Sequence, residues 1–173
     1  MTKEQSGTLD VLSTTGLTLR QRIAFGAVNP TGADGSVTYP YVVTVASDGR
    51  TAYATLQGTG QVAALALTST PAGLVVGLSV LVPAGDHPTG LAVSPDSSTL
   101  VVANANNDTV SVFALSAGLP GPAIILTVRA RPSDPNGSVP DAVAFDGNNC
   151  VNVALAGDNA APRRTGPGAV PSS

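Results

Sequence analysis

One histidine stands in the whole 173-residue sequence, at position 87, between Asp86 and Pro88. Imidazole is the side chain best suited to take a proton near neutral pH, so a serine-histidine-aspartate relay would have to use His87, but its place on a connection between blades reads as a solvated loop residue, and no catalytic residue is assigned. A zinc site would lack its usual second imidazole. Cys150 is the single thiol, which excludes an internal disulfide and a thiolate cluster, and a lone thiol of this kind is expected as a small buried side chain. Carboxylates recur at Asp48, Asp96 and Asp146 and could suggest a ring around a cation. Each lies at or beside a tight turn, where aspartate accepts hydrogen bonds from its own backbone amides, so their repetition points to turn structure and not to a metal.

The elements that must position these groups follow from an internal repeat. Pro40–Leu67 (PYVVTVASDGRTAYATLQGTGQVAALAL) lies on Pro88–Leu115 (PTGLAVSPDSSTLVVANANNDTVSVFAL) at one offset, 88 − 40 = 48, without a gap. Prolines, turn aspartates and strand ends coincide. A period of this length marks a propeller or solenoid. A third copy starts at Pro140 (PDAVAFDGNNCVNVALAGDNA) and breaks off in Ala-Ala-Pro-Arg-Arg-Thr-Gly-Pro-Gly, where proline removes ladder donors, so later strands are not expected there. In the second unit the predicted strands are 89–94, 99–105, 109–115 and 123–130, joined by Pro95-Asp96-Ser97-Ser98, Asn106-Asn107-Asp108 and Ser116-Ala117-Gly118-Leu119-Pro120. Four antiparallel strands per unit fit a propeller blade.

The predicted organisation is all-β. It is a partial propeller of about three four-stranded antiparallel blades, expected as a fragment of a larger ring because both ends cut through a blade. Residues 1–39 hold two outer strands of a preceding blade (about 8–12 and 17–25) and a linker. Residues 40–87 form a blade, 88–139 a blade and linker, 140–160 a partial blade, and 161–173 a disordered tail. Three blades leave edges and apolar faces open, so self-association through open blade edges is an alternative to the fragment.

Composition agrees with short strands and turns: 11% of residues are charged and 3% aromatic. The net charge of −3 with scattered basic residues offers no face for nucleic acid or anionic lipid, and no apolar run reaches the roughly 20 residues needed to span a bilayer. The first seven residues lack an apolar signal core. Two glycosylation sequons, Asn107-Asp108-Thr109 and Asn136-Gly137-Ser138, read as chance matches on loops.

Pro88-Thr-Gly-Leu-Ala-Val-Ser-Pro-Asp96, Leu100-Val-Val-Ala-Asn104 and Asp108-Thr-Val-Ser-Val112 resemble the YVTN-type β-propeller repeat. The unit departs from that pattern at Ser97, Val101 and Phe113-Ala114, while the first unit keeps Tyr53 and Asp48-Gly49. The resemblance covers about residues 8–160. It implies a bacterial propeller, closest to the propeller half of phosphoesterase-linked proteins, with lactonase-like propellers second. It also implies a periplasmic or extracellular setting for a full-length protein, and partners in the form of a phosphoesterase or further blades.

In propellers the loops between blades and between second and third strands gather on one face near the channel. Here they carry Asp86, His87, Asn104, Asn106, Asn107 and Asp158, the candidate ligand-binding residues, with Asp108 and Asn159 beside them. No nucleophile is paired with a base, and no cofactor is called for. The leading functional reading is a non-catalytic binding or scaffold module. The rivals are a lactonase-like enzyme acting on a sugar lactone, which Val110–Leu126 resembles, and a surface or cell-wall repeat protein.

Overall fold

The computed structural model describes residues 2–3, 7–25, 38–128, 137–157 and 164–165. Its elements form four antiparallel sheets. The N-terminal sheet holds β1 (Thr2–Lys3), β2 (Thr8–Leu12) and β3 (Leu19–Ala24). The first whole blade is β4 (Pro40–Val45), β5 (Thr51–Leu56), β6 (Gln61–Thr70) and β7 (Gly73–Pro83), in that spatial order. The second is β8 (Pro88–Val93), β9 (Thr99–Asn104), β10 (Thr109–Ser116) and β11 (Leu119–Thr127). The C-terminal sheet is β12 (Pro140–Phe145), β13 (Val151–Leu155) and β14 (Arg164–Thr165). Within each sheet consecutive strands pair, and this is the partial all-β propeller that the 48-residue period predicts.

Alternation along the middle strands explains the stacking. All six residues of β5 are buried, which requires both faces of the blade to be covered. On one face Ala52, Ala54 and Leu56 join Ala63, Leu65 and Val76 against Leu9, Ile23 and Phe25 of the N-terminal sheet. On the other, Tyr53, Val62 and Ala64 meet Leu91, Leu100, Val102 and Phe113 of the second blade. Small residues let the sheets approach, and each fully buried large one contributes about 1.5–3 kcal/mol. Burial raises the Tyr53 phenol above its ordinary range, and its hydroxyl donates 2.8 Å to Gly118 O on the second blade's outermost turn. Gly90 serves the next junction: a Cβ there would lie 2.5 Å from Asp141 O and 2.7 Å from Ala142 Cα, so only glycine permits this approach.

One backbone device repeats in every inner strand. The residue before the leading proline is left-handed, at Tyr39 (φ 42), His87 (φ 54) and Val139 (φ 44). A register shift follows at Pro40, Pro88 and Pro140. The same three residues accept from the amide that follows the second strand: Gln57 N to Tyr39 O at 3.0 Å, Ala105 N to His87 O at 3.1 Å, and Ala156 N to Val139 O at 2.9 Å.

The structure differs from the sequence reading at four places. The outermost strand of the second blade starts at Leu119, not Ala123, because its hairpin needs only Ala117 (φ 49) and Gly118 (φ 77). Pro120 and Pro122 fit within it since an outermost strand has a free edge. Cys150 is half-buried at the β12–β13 turn, with its amide donating to Asp146, so it is not a core residue. Arg164–Thr165 pair with β13 where a disordered tail without further strands is expected. Thr2–Lys3 add a strand inside β2. The remainder of 161–173, and most of the predicted linkers 27–38 and 132–139, lie outside the described residues.

Candidate functional site

In an up-and-down blade the β5–β6, β7–β8, β9–β10 and β11–β12 connections emerge at one end, here called the rim. Two rim loops are tied together, with Ala105 N donating to His87 O and Asn106 N to Asp86 O at 3.4 Å. This places Asp86, His87 and the Asn106–Asn107 pair in one cluster. Asp86, Asn106 and Asn107 are exposed and His87 is half-buried. The left-handed backbone at His87, disfavoured before proline, fixes the loop from which the imidazole projects.

Asn104 stands apart from the other candidates. It is fully buried, its Nδ2 donates to Thr109 Oγ1 (3.0 Å) and Ser111 Oγ (2.9 Å), and its Oδ1 accepts from Gly85 N (3.0 Å). The amide thus pins the β7–β8 loop against the sheet, and a Cβ at Gly85 would lie 2.4 Å from Asn104 Cγ. Asn107 accepts from Thr109 Oγ1 at 2.7 Å, which orients its amide within the turn. Asp158 and Asn159 lie outside the described residues.

Asp108 is 2% exposed, and its two carboxylate oxygens accept from Gly137 N (2.8 Å) and Val139 N (3.1 Å). It clamps the far end of the β11–β12 connection. Its left-handed φ of 52 matches that of Gly60 (φ 63) at the same place in the first blade, a substitution that aspartate tolerates. That Gly-to-Asp exchange within the repeat was the signal in the sequence for a special role.

A second row of polar groups was not foreseen. The position before each left-handed residue is Thr38, Asp86 and Ser138 in successive units. The Thr38 and Ser138 hydroxyls are buried and have no hydrogen-bond partner among the described residues. Such hydroxyls call for a water or a ligand group. Among the described rim residues there is no lysine or arginine, and no group of three His, Cys, Asp or Glu could hold a metal ion among the described residues.

At the opposite end the repeated aspartates close their turns. Asp48 Oδ1 accepts from Arg50 N (2.9 Å), and Asp146 Oδ1 from Asn148 N (2.8 Å) and Cys150 N (2.9 Å). Asp96 Oδ1 accepts from Ser94 Oγ (2.6 Å), Ser98 Oγ (2.8 Å) and Ser98 N (3.0 Å). The Ser94 and Ser98 bonds pull the Asp96 carboxyl down to about 2.

These sheets and their rim define a partial β-propeller, and the family to which it belongs is that of the lactonase propellers. The profile described as lactonase, 7-bladed beta-propeller, matches residues 2–144. A comparison with curated proteins finds no match. Among solved structures, the chain is similar to a Lactobacillus plantarum protein (20% identity, TM-score 0.64, 84% of this chain and 40% of that one). It is similar also to the periplasmic gluconolactonase of Pseudomonas aeruginosa (25% identity, TM-score 0.54, 68% and 33%). A third is a Bacteroides fragilis protein provisionally described as a 6-phosphogluconolactonase (20% identity, TM-score 0.56, 68% and 32%). The chain spans less than half the length of each.

Proposed function

We propose that this chain forms part of a propeller that binds a sugar lactone at the rim and hydrolyses it, with His87 as the general base. The observation that carries the reading is the cluster of Asp86, His87, Asn106 and Asn107, held by the two bonds between rim loops within a family of lactonase propellers. Asp86 would accept from ligand hydroxyls and the two asparagines would bond its oxygens. The Thr38 and Ser138 hydroxyls supply further groups of the same kind. In the reaction, His87 takes a proton from water as the water oxygen bonds to the lactone carbonyl carbon. The ring C–O bond then breaks, and the leaving oxygen takes the proton back from the imidazolium, giving the open hydroxy acid. A rim with Asp86 and no described cation favours an uncharged lactone over a phosphorylated one.

At the level of the blade we read the repeat as the YVTN type, on the strength of Pro88–Asp96 and Leu100–Asn104. Further blades of the same protein are the partner this reading requires, and a linked phosphoesterase has no support beyond the resemblance. A second reading, a non-catalytic binding scaffold, is favoured by Asn104 and Asp108, both bonded internally. A pH-stat assay on glucono-δ-lactone separates the two. The wild-type protein is expected to release acid, and His87→Ala to lose roughly a hundredfold or more of turnover while still binding lactone. Turnover unchanged in His87→Ala overturns the base assignment, and binding without turnover in the wild type leaves the scaffold.

A further inference from the structure

Three ties hold the loop that carries Asp86 and His87, and two of them recur in every unit. Gln57 N, Ala105 N and Ala156 N donate to Tyr39 O, His87 O and Val139 O, and Gly58 N, Asn106 N and Gly157 N donate to Thr38 O, Asp86 O and Ser138 O. The third tie, one residue earlier, differs between units. Gly137 N is held by the Asp108 carboxylate of the preceding blade. For Gly85 the corresponding place on the preceding blade is Gly60, which has no side chain to offer, and the Gly85 N–H goes to Asn104 Oδ1 of its own blade at 3.0 Å.

Asn104 is itself the exception at its strand position. The residue opposite the leading proline is Leu56 in the first unit and Leu155 in the third, against Asn104 in the second. A leucine side chain there makes no hydrogen bond. The asparagine makes three, and both hydrogens of its amide are used: Nδ2 donates to Thr109 Oγ1 at 3.0 Å and to Ser111 Oγ at 2.9 Å. Reversed, the amide would set Nδ2 against the Gly85 N–H, donor against donor, so its direction is fixed.

That direction is passed on. The Thr109 hydroxyl accepts from Asn104 and has one hydrogen to give, which goes to Asn107 Oδ1 at 2.7 Å. Asn107 is exposed, and with Oδ1 held by Thr109 the end it offers outward is Nδ2, which has no partner among the described residues. One buried amide thus holds both walls of the rim cluster, the Asp86–His87 loop through Gly85 and the Asn107 side chain through Thr109.

We infer that Asn104 is a positioning residue of the rim site, acting through Thr109 to present Asn107 Nδ2 as a hydrogen-bond donor to the lactone carbonyl oxygen, while its Oδ1 keeps the His87 loop in place. It rests on the proposed lactone reading and adds the orientation of the ligand. The Asp86 carboxylate accepts and does not donate, so it takes ring hydroxyls. Asn107 Nδ2 donates, and the carbonyl oxygen of a lactone has no proton of its own. That oxygen gathers negative charge as water adds to the carbonyl carbon, so the donor acts on kcat more than on KM.

The test measures kcat and KM of the whole chain on glucono-δ-lactone, beside the side-chain NMR resonances of Asn107 and His87. Asn107→Asp keeps the shape and loses the donor, and kcat is expected to fall about a hundredfold. Thr109→Val breaks the relay without changing its bulk, with kcat down roughly tenfold, KM within about twofold and the Asn107 amide resonances moved. Thr109→Ser restores all three. Ser111→Ala removes only the second acceptor of Asn104 Nδ2 and is expected to leave kcat as in the wild type. Asn104→Leu, the residue of the neighbouring units, is expected to move the resonances of both Asn107 and His87, where Thr109→Val moves those of Asn107 alone. Circular dichroism reports whether it folds, and if it does not, the two Thr109 variants decide. In a wild type that hydrolyses the lactone, unchanged kcat in Thr109→Val overturns the inference, as does a loss that Thr109→Ser fails to restore. In a wild type that does not, the lactone reading falls by itself, and Asn107 resonances left unmoved by Thr109→Val overturn the positioning as well.

Discussion

The two ends of the blades use repetition differently. At the turn end the same side chain does the same work in each unit: Asp48, Asp96 and Asp146 all accept from amides of their own turns. At the rim the backbone repeats and the side chains do not. Tyr39, His87 and Val139 share a left-handed φ and an amide bond, yet they are a phenol, an imidazole and an isopropyl group. Thr38, Asp86 and Ser138 differ likewise, as do Gly60 and Asp108. A scaffold that fixes the main chain in every blade leaves the side chain at these positions open to variation, and that is how a repeat fold acquires a site of its own. Groups that recur with the blade should therefore move stability, and groups that differ between blades should move binding unless they are buried and bonded.

Asp108 is the strongest test of that last clause, because it differs between blades but is buried. Asp108→Ala removes both acceptors of the Gly137 and Val139 amides and leaves the left-handed turn on a residue that disfavours it. The expected cost is about 2–3 kcal/mol, read as a lower urea midpoint with an unchanged slope. Asp86→Ala, exposed on the neighbouring rim loop, is expected to change the midpoint little. Equal effects for the two would erase the distinction between buried clamp and free rim group.

A smaller effect is expected where the blades meet. Tyr53→Phe keeps the buried ring and deletes the hydroxyl that bonds Gly118 O and interacts with Thr51, at a cost of about 1 kcal/mol. In thermal melts this corresponds to a fall of roughly 2–4 °C for a chain of this size. No change in Tm would mean that water at the half-exposed Gly118 turn replaces the phenol without loss.

The blades were legible because the signal lay in period and turn chemistry. Pro40, Pro88 and Pro140 mark inner strands, and Asp48, Asp96 and Asp146 mark the first turn of each. Side-chain tertiary bonds leave no such trace. Gln21 bonds both the N–H and C=O of Val76 on the neighbouring edge strand (2.9 and 2.6 Å), across 55 residues of sequence. Asp10 holds Arg22 through two bonds of 2.7 and 3.0 Å, also a matter of register. For the candidate site, position on the rim followed from topology, whereas the burial of Asn104 did not. An asparagine ending a strand reads as a polar loop group until the Gly85 loop is seen folded over it. Cys150 failed for the reverse reason, since its apolar character said nothing of its place on an open end sheet.

The smallest expected effect belongs to the turn end and depends on pH. The Ser94 and Ser98 bonds lower the Asp96 carboxyl from its ordinary 3.8 to about 2 in the folded chain. A depressed carboxylate stabilises the fold fully above the unfolded value, and that contribution is lost as pH falls through the folded one. Stability should therefore slope downward between about pH 4 and pH 2 in part through Asp96. Asp96→Asn keeps an acceptor for the Ser98 amide but has no proton to take up, so its urea midpoint is expected to be slightly lower at pH 7. The gap from wild type should narrow as the two are compared at pH 4, 3 and 2. Because the carboxylate is fully exposed, solvent screens it, and the effect should shrink further in high salt. A gap that stays constant down to pH 2 would assign the turn's stability to the shape of the side chain and remove its charge from the account.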